Sequence, residues 1–129
     1  MFRSAITNSI KVEVLPRYED IPATGSQSRF IFTYTIKITN LGGQSCRLIS
    51  RKWQITNALA EHKWVEGPGV VGEQPLIGPG QTYIYSSVCP LNTEIGRMQG
   101  HYHFHCDESD DVFLVQIPPF VLEATFKLN

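Results

Sequence analysis

The fold is decided by residues 30–40, which read FIFTYTIKITN. From Phe32 onward, aromatic or aliphatic side chains alternate with threonine or lysine. Because successive side chains of a strand point to opposite faces of a sheet, this alternation predicts a long β-strand with one buried face. The following residues, 40–43, read NLGG and predict a turn, since glycine adopts positive φ at no steric cost.

The same period of two recurs on both sides of this strand. It runs through residues 10–14, 82–88, 98–106, 112–117 and 120–128, and a short hairpin strand is predicted at 61–66. Between residues 46 and 56 the apolar positions change phase, which predicts a bulge or bend near Ser50. Residues 67–80 are rich in glycine and proline and predict a loop, and Pro118-Pro119 predicts the end of a strand.

These patterns together predict an all-β chain of about seven to eight antiparallel strands with almost no helical periodicity. Strand signals every ten or so residues are typical of a β-sandwich or a small barrel. A length of 129 residues suits one domain, and no linker or repeat divides the chain. We therefore expect a single domain spanning residues 1–129.

Charge and composition exclude several classes of protein. Eleven basic and twelve acidic side chains leave a formal charge of −1, with a pI near 6.4, which argues against a nucleic-acid-binding or polybasic membrane-surface protein. No apolar stretch approaches the ~20 residues of a transmembrane helix. Residues 1–9 lack the apolar segment of a signal peptide, so a cytoplasmic location is predicted. Three widely spaced cysteines, Cys46, Cys89 and Cys106, are expected to be buried free thiols of a reducing compartment.

A glycine-rich segment is the first candidate site. Residues 67–72 read GPGVVG and match the G-x-G-x-x-G spacing of dinucleotide-binding turns. That chemistry needs a helix after the turn to hold the pyrophosphate, and the prolines at 75 and 79 exclude a helix there. A nest of backbone amides that binds an anion stays open, as does an ordered loop whose Val70 and Val71 either tuck under or meet a partner.

A row of histidines is the second candidate site. His101, His103 and His105 share one face of a predicted strand, roughly 6.5–7 Å apart, so neighbouring imidazoles could bind one divalent metal. An obvious fourth ligand is missing, because Cys106 points to the other face. A solvent-facing row is the simpler interpretation, and we predict no metal or other cofactor.

Catalytic patterns are scarce. No serine lies in a G-x-S-x-G elbow, and the carboxylates of residues 19–20 and 107–111 fall in predicted loops, where charges usually face solvent. The compact basic cluster of Arg47, Arg51 and Lys52 is interpreted as a solvated face rather than a phosphate site. The sequence therefore does not predict an enzyme.

Five ordered blocks resemble the ApaG family of bacteria. Residues 48–57 (LISRKWQITN) resemble its L-x-x-R-x-W-x-I-T-N stretch, and the other four blocks follow with matching gaps. They are residues 65–75 (VEGPGVVGEQP), 79–87 (PGQTYIYSS), 96–102 (GRMQGHY) and 117–120 (IPPF). The resemblance covers nearly the whole chain from about Phe30 onward.

The resemblance implies an immunoglobulin-like or fibronectin-type-III-like β-sandwich without an established enzyme activity. Members share an operon with a diadenosine-tetraphosphate hydrolase and are linked to cobalt and magnesium homeostasis. Similar domains in eukaryotic F-box proteins and in a DNA-polymerase-delta-interacting protein look like protein-interaction modules. The family's glycine loop has been discussed as a pyrophosphate-binding motif. Pro68 departs from the family's usual acidic residue, and His103 and His105 lie outside its pattern.

We therefore expect a non-catalytic module that binds another protein, as a monomer or weak homodimer. The predicted contact surface comprises Gly67, Gly69, Val70, Val71 and Gly72, with Trp53, Gln74 and Tyr85 as neighbours. Two alternatives remain open. One is a nucleotide or other pyrophosphate-containing ligand on the Gly67–Gly72 loop, and the other is divalent-metal homeostasis.

Overall fold

The computed structural model describes residues 3–19 and 29–125, and all the regular structure within these ranges is β-strand. The strands are β1 Arg3–Thr7, β2 Ile10–Glu19, β3 Phe30–Asn40, β4 Cys46–Asn57, β5 His62–Pro68, β6 Leu76–Ile77, β7 Thr82–Leu91, β8 Ile95–Cys106 and β9 Val112–Glu123. Strands β1 and β6 were not predicted, because each is too short to show a clear alternation. The alternation predicted beyond Thr125 lies outside the described residues.

The strands form two sheets, and every pairing is antiparallel. One sheet has the order β1-β2-β3-β7, and the other has the order β5-β4-β8-β9 with β6 also paired to β4. The two sheets face each other across a shared apolar core, so the predicted β-sandwich is confirmed.

Aromatic side chains join the two sheets at the centre of the core. The ring of Tyr34 on β3 lies 5.4 Å from that of Trp53 on β4, edge to face, and the Trp53 ring lies 5.9 Å from that of Phe120 on β9. Such pairs contribute about 0.5–1.5 kcal/mol each beyond the area they bury. The alternation in residues 30–40 thus places Tyr34 where its ring packs β4 and β9 against β3.

The phase change in β4 is a β-bulge, as predicted. Pairing between β4 and β8 shifts between Leu48 and Ser50, which leaves Ile49 as the extra residue. Leu48 and Trp53 consequently both point into the core although they have opposite parity.

The predicted strand end at Pro118-Pro119 is wrong, because β9 continues to Glu123. Opposite this pair, the β8–β9 register shifts. Met98 pairs with Phe120, whereas Gly100, two residues further along β8, pairs with Ile117, three residues earlier on β9. Because β9 is an edge strand, the missing N–H groups of proline are tolerated at such an irregularity. Pro118 is itself buried.

The expectation of three free thiols is also wrong. Cys46 on β4 and Cys106 on β8 are directly opposed, with 4.0 Å between their Cα atoms, and form a disulfide. Cys89 is free and buried, and burial raises the pKa of its thiol to about 11. The cysteines therefore no longer support a reducing compartment, and the cytoplasmic location stays a prediction. Over residues 3–19 and 29–125, no helix is long and apolar enough to cross a membrane.

Candidate binding loop

The glycine-rich segment crosses the edge of β4 at the bulge. Strand β5 pairs with β4 from Ser50 to Thr56, and β6 pairs with Cys46 and Arg47 on the same edge. Residues 69–75 connect these two strands and therefore pass the bulged residue Ile49. We call this connection the glycine loop.

The bulge supplies the backbone groups that hold the glycine loop. The carbonyl oxygen of Ile49 accepts a hydrogen bond from the amide of Gly69, at 2.8 Å, and another from Nε2 of Gln74, at 2.9 Å. The amide of Leu48 donates to the carbonyl of Pro75, at 3.0 Å. Gly69 follows Pro68 in the β4–β5 register and Pro75 precedes Leu76 in the β4–β6 register, so the two backbone bonds extend both ladders onto the loop. Gln74, predicted as a neighbour of the contact surface, anchors the loop to β4.

Two arginines complete the attachment. Nη1 of Arg51 donates to the carbonyls of Pro68, at 3.0 Å, and Gly69, at 2.9 Å, while Nη1 of Arg47 donates to that of Gln74, at 2.7 Å. Hydrogen bonds with a charged donor are stronger than those between neutral groups. Lys52 lies over the ring of Trp64, 5.2 Å from its centroid. The basic cluster interpreted as a solvated face is therefore a scaffold for the loop and for β5, a role that strand patterning did not reveal.

The tip of the glycine loop is a tight turn. The amides of Val70 and Glu73 each donate to the other residue's carbonyl, at 2.8 and 2.9 Å. Between them Val71 has φ 49° and Gly72 has φ 78°, two positive values as in a type I′ turn. Val70 is fully buried, whereas Val71 is 61% exposed. The two valines that the sequence left open thus separate: one is part of the core and the other is presented to solvent.

The geometry gives little support to a phosphate cradle. In a phosphate-binding turn, backbone amides converge on the anion. Here the amides of Gly69, Val70 and Glu73 donate to carbonyls of the chain itself. Gly69 is required for another reason: with φ +56°, a Cβ on it would lie 2.0 Å from the carbonyl oxygen of Glu73. The glycine spacing therefore serves close packing of the loop.

Two predicted neighbours of the contact surface are core residues. Trp53 is 2% exposed, and Tyr85 is 8% exposed with its hydroxyl hydrogen-bonded to that of Tyr102. Burial is the largest cause that raises the pKa of both tyrosines, so the pair stays neutral at physiological pH. Both side chains are therefore covered almost completely by the sandwich and lie away from the exposed tip of the loop. From the predicted set, Val71, Gly72 and Gln74 are exposed, and Gly67 lies half-buried against the Arg51 guanidinium.

A cleft of about 520 Å³ opens beside Trp53, between β7 and the pair β4–β5. Tyr34, Cys89 and Met98 line it from the core, and Lys63 lines it from β5. The glycine loop contributes none of the lining residues. Arg51, which holds the loop, also lines the cleft, so the two features adjoin through this side chain.

The histidine row lies on the outer face of β8, as the sequence predicted. His101 is paired with Lys52, His103 with Ser50 and His105 with Arg47 on β4. Side chains of directly opposed residues share a face, so the row lies on the same outer face as the side chains of Lys52 and Arg47. Nδ1 of His105 is 3.5 Å from Asp107, and its Nε2 is 3.1 Å from Asp110. Within the described part of the chain, no group of three or more acidic, cysteine or histidine side chains could hold a metal.

The fold and the site define a class: a two-sheet β-sandwich that carries a bulge-anchored glycine loop on the edge of one sheet. A family model described as the ApaG domain matches residues 22–106. Protein ApaG of Rhizobium etli is 44% identical over 124 residues, which cover 96% of this chain and 94% of the relative. The chain belongs to the ApaG family.

Solved structures agree with this assignment. An X-ray structure of a structural-genomics target is 40% identical with a TM-score of 0.87, covering 96% of this chain and 93% of that one. The crystal structure of the putative ApaA protein from Bordetella pertussis is 43% identical with a TM-score of 0.83, covering 89% of this chain and 93% of that one. The resemblance in the five sequence blocks is thereby confirmed.

Proposed function

We propose that this chain is a non-catalytic binding module that recognises another protein through the exposed tip of the glycine loop, with Val71 as its contact residue. The observation that carries the proposal is the backbone of Val71. A β-branched residue with positive φ is a conformational outlier, and the left-handed region costs such a residue about 1–2 kcal/mol. The side chain held in this strained position is 61% exposed and packs into no core.

At position 71, asparagine would suit the backbone of the turn better than valine does. Positions with two successive positive φ values favour Asn-Gly, and Gly72 already occupies the second. Strained residues concentrate at functional sites, where the surrounding structure holds them in place. Arg51, Arg47 and Gln74 provide that support here, because their side chains fix both ends of the loop. A strained, exposed valine on a rigid base is suited to apolar contact with a partner.

The substitution Val71→Asn tests this proposal because it relieves strain and removes the apolar contact together. The matched control is Leu59→Asn, which removes a 70% exposed leucine from the turn between β4 and β5. Each immobilised variant is exposed to lysate of the source cell, and captured proteins are quantified by mass spectrometry against the wild type. We expect Val71→Asn to lose a captured protein that Leu59→Asn retains, with binding reduced at least about tenfold.

Folding is monitored alongside capture. Val71→Asn should unfold at the same or higher urea concentration than the wild type, so that lost capture reports the contact and not the fold. The proposal is wrong if both variants capture the wild-type set. Val70→Asp cannot serve as the test, because it buries a carboxylate in the core and should unfold the domain.

A further inference from the structure

Strand β7 forms one edge of the four-stranded sheet. It pairs with β3 on one side, and no strand within the described ranges pairs with its other side. An unpaired edge presents a row of backbone donors and acceptors that another strand can join.

The backbone groups that face outward can be assigned by parity. The carbonyl of Gln81, just before β7, accepts a hydrogen bond from Asn40 at the end of β3, at 3.0 Å. Hydrogen-bonding groups alternate sides along a strand, so odd-numbered residues face β3 and even-numbered residues from Thr82 to Val88 face outward. Pro90 has the outward parity, which suits a residue without an N–H.

The edge of β7 lacks the usual protection against pairing. Natural edge strands are shielded by charges, prolines or short length. Of the other described edges, β1 has five residues, β5 carries charged side chains, and β9 carries Pro118-Pro119. Strand β7 reads TYIYSSVCPL, ten residues without a charge and with proline only near its end.

The exposed apolar side chains of β7 are arranged symmetrically. Ile84 is 60% exposed and Val88 is 57% exposed, two positions on either side of Ser86. In an antiparallel pairing of two copies centred on Ser86, Ile84 lies opposite Val88 of the second copy, and the reverse pair forms across the two-fold axis. All of these residues have outward-facing backbone groups, so each opposed pair can exchange both of its hydrogen bonds.

We propose that a second copy of this chain docks on the β7 edge, antiparallel and with Ser86 opposite Ser86, so that the two four-stranded sheets become continuous. The edge is self-complementary in hydrogen bonding, in its apolar pairs and in its lack of charge. The interface uses neither Val71 nor the glycine loop, and it stands apart from the proposed function.

Charge pairs at positions 84 and 88 test both the dimer and its register. The variant Ile84→Glu/Val88→Glu places like charges opposite each other across the axis, whereas Ile84→Glu/Val88→Lys places opposite charges there. Within one copy, residue 84 is paired with Lys37 and residue 88 with Thr33, so both variants suit the folded chain. Sedimentation velocity over a concentration series gives the dimer dissociation constant of each variant, and circular dichroism confirms folding.

We expect a wild-type dimer, a dissociation constant at least about tenfold higher for the Glu/Glu variant, and substantial recovery for the Glu/Lys variant. The inference is overturned if the wild type sediments as a monomer at every concentration. It is equally overturned if the two charged variants dissociate alike, because the register then plays no part.

Discussion

The glycine loop and the acidic hairpin at residues 107–111 both turn through a non-glycine residue with positive φ. In the hairpin that residue is Asp110, with φ 57°, and in the loop it is Val71, with φ 49°. Asp tolerates the left-handed region because its short polar side chain can bond locally, and Asp110 lies 3.1 Å from Nε2 of His105. Valine has no such compensation. Similar backbone conformations thus cost little conformational free energy in the hairpin and more in the glycine loop.

The two turns also differ in how they are attached. The hairpin begins at Cys106, whose amide donates to Asp111 and whose sulfur is bonded to Cys46. The glycine loop depends on side-chain hydrogen bonds from β4 and on a close backbone approach at Gly69. The disulfide thus supports the hairpin, where Asp110 suits its turn, whereas hydrogen bonds support the glycine loop, where Val71 does not.

The largest effect is expected from Gly69→Ala, which attacks the attachment of the glycine loop. Its Cβ meets the carbonyl oxygen of Glu73, and positive φ adds strain, so the free energy of unfolding should fall by about 4 kcal/mol. Gly72→Ala is the control, since a Cβ there has nothing within 4 Å and only the φ cost of about 1 kcal/mol applies. Urea denaturation of both variants measures the difference; equal losses would show that the close approach is unimportant.

Removal of the disulfide should have the next largest effect and should act at the hairpin. The substitution Cys46→Ser/Cys106→Ser opens a link between residues 60 positions apart, which should lower the free energy of unfolding by about 3 kcal/mol. Reductant should destabilise the wild type similarly and leave the double variant unchanged. Thiol titration of the unfolded, non-reduced protein should find Cys89 alone. Detection of all three thiols in that titration would contradict the pairing.

The smallest effects on the free energy of unfolding, of opposite sign, are expected when Val71 is replaced by a residue that suits positive φ and Asp110 by one that does not. Val71→Asn should raise the free energy of unfolding by about 1 kcal/mol, because asparagine suits the turn. Asp110→Val should lower it by about 1 kcal/mol or more, since strain appears and the contact with His105 is lost. Asp110→Asn keeps a residue that tolerates positive φ and should change little. Denaturation midpoints check all three, and a destabilised Val71→Asn would remove the strain argument.

Much of the fold could be read from the pattern of side chains along the chain. Alternation located the long strands, and the phase change between Leu48 and Trp53 indicated the bulge in β4. The pattern failed where no alternation is visible, in β1 and β6. It also failed at Pro118-Pro119, where being at a sheet edge makes proline acceptable.

The candidate site was less predictable. Glycine spacing located the loop, yet Val70 and Val71 are neighbours of the same residue type, and only the turn geometry buries one and exposes the other. Aromatic residues such as Trp53 and Tyr85 occur both in contact surfaces and in cores, so their residue type did not show which of the two they belong to. Their place in the core follows from the second sheet, which the sequence of one strand does not describe.

The sequence by itself determined an all-β sandwich, because side-chain alternation is local and its period is a property of the strand. The tertiary structure alone decided which distant residues meet. Cys46 reaches Cys106 because the β4–β8 register opposes them, and Arg51 reaches the carbonyls of Pro68 and Gly69 because β5 folds back along β4. Register is set by packing over the whole sheet, so the disulfide, the support of the glycine loop and the exposure of Val71 emerge only when both sheets are in place.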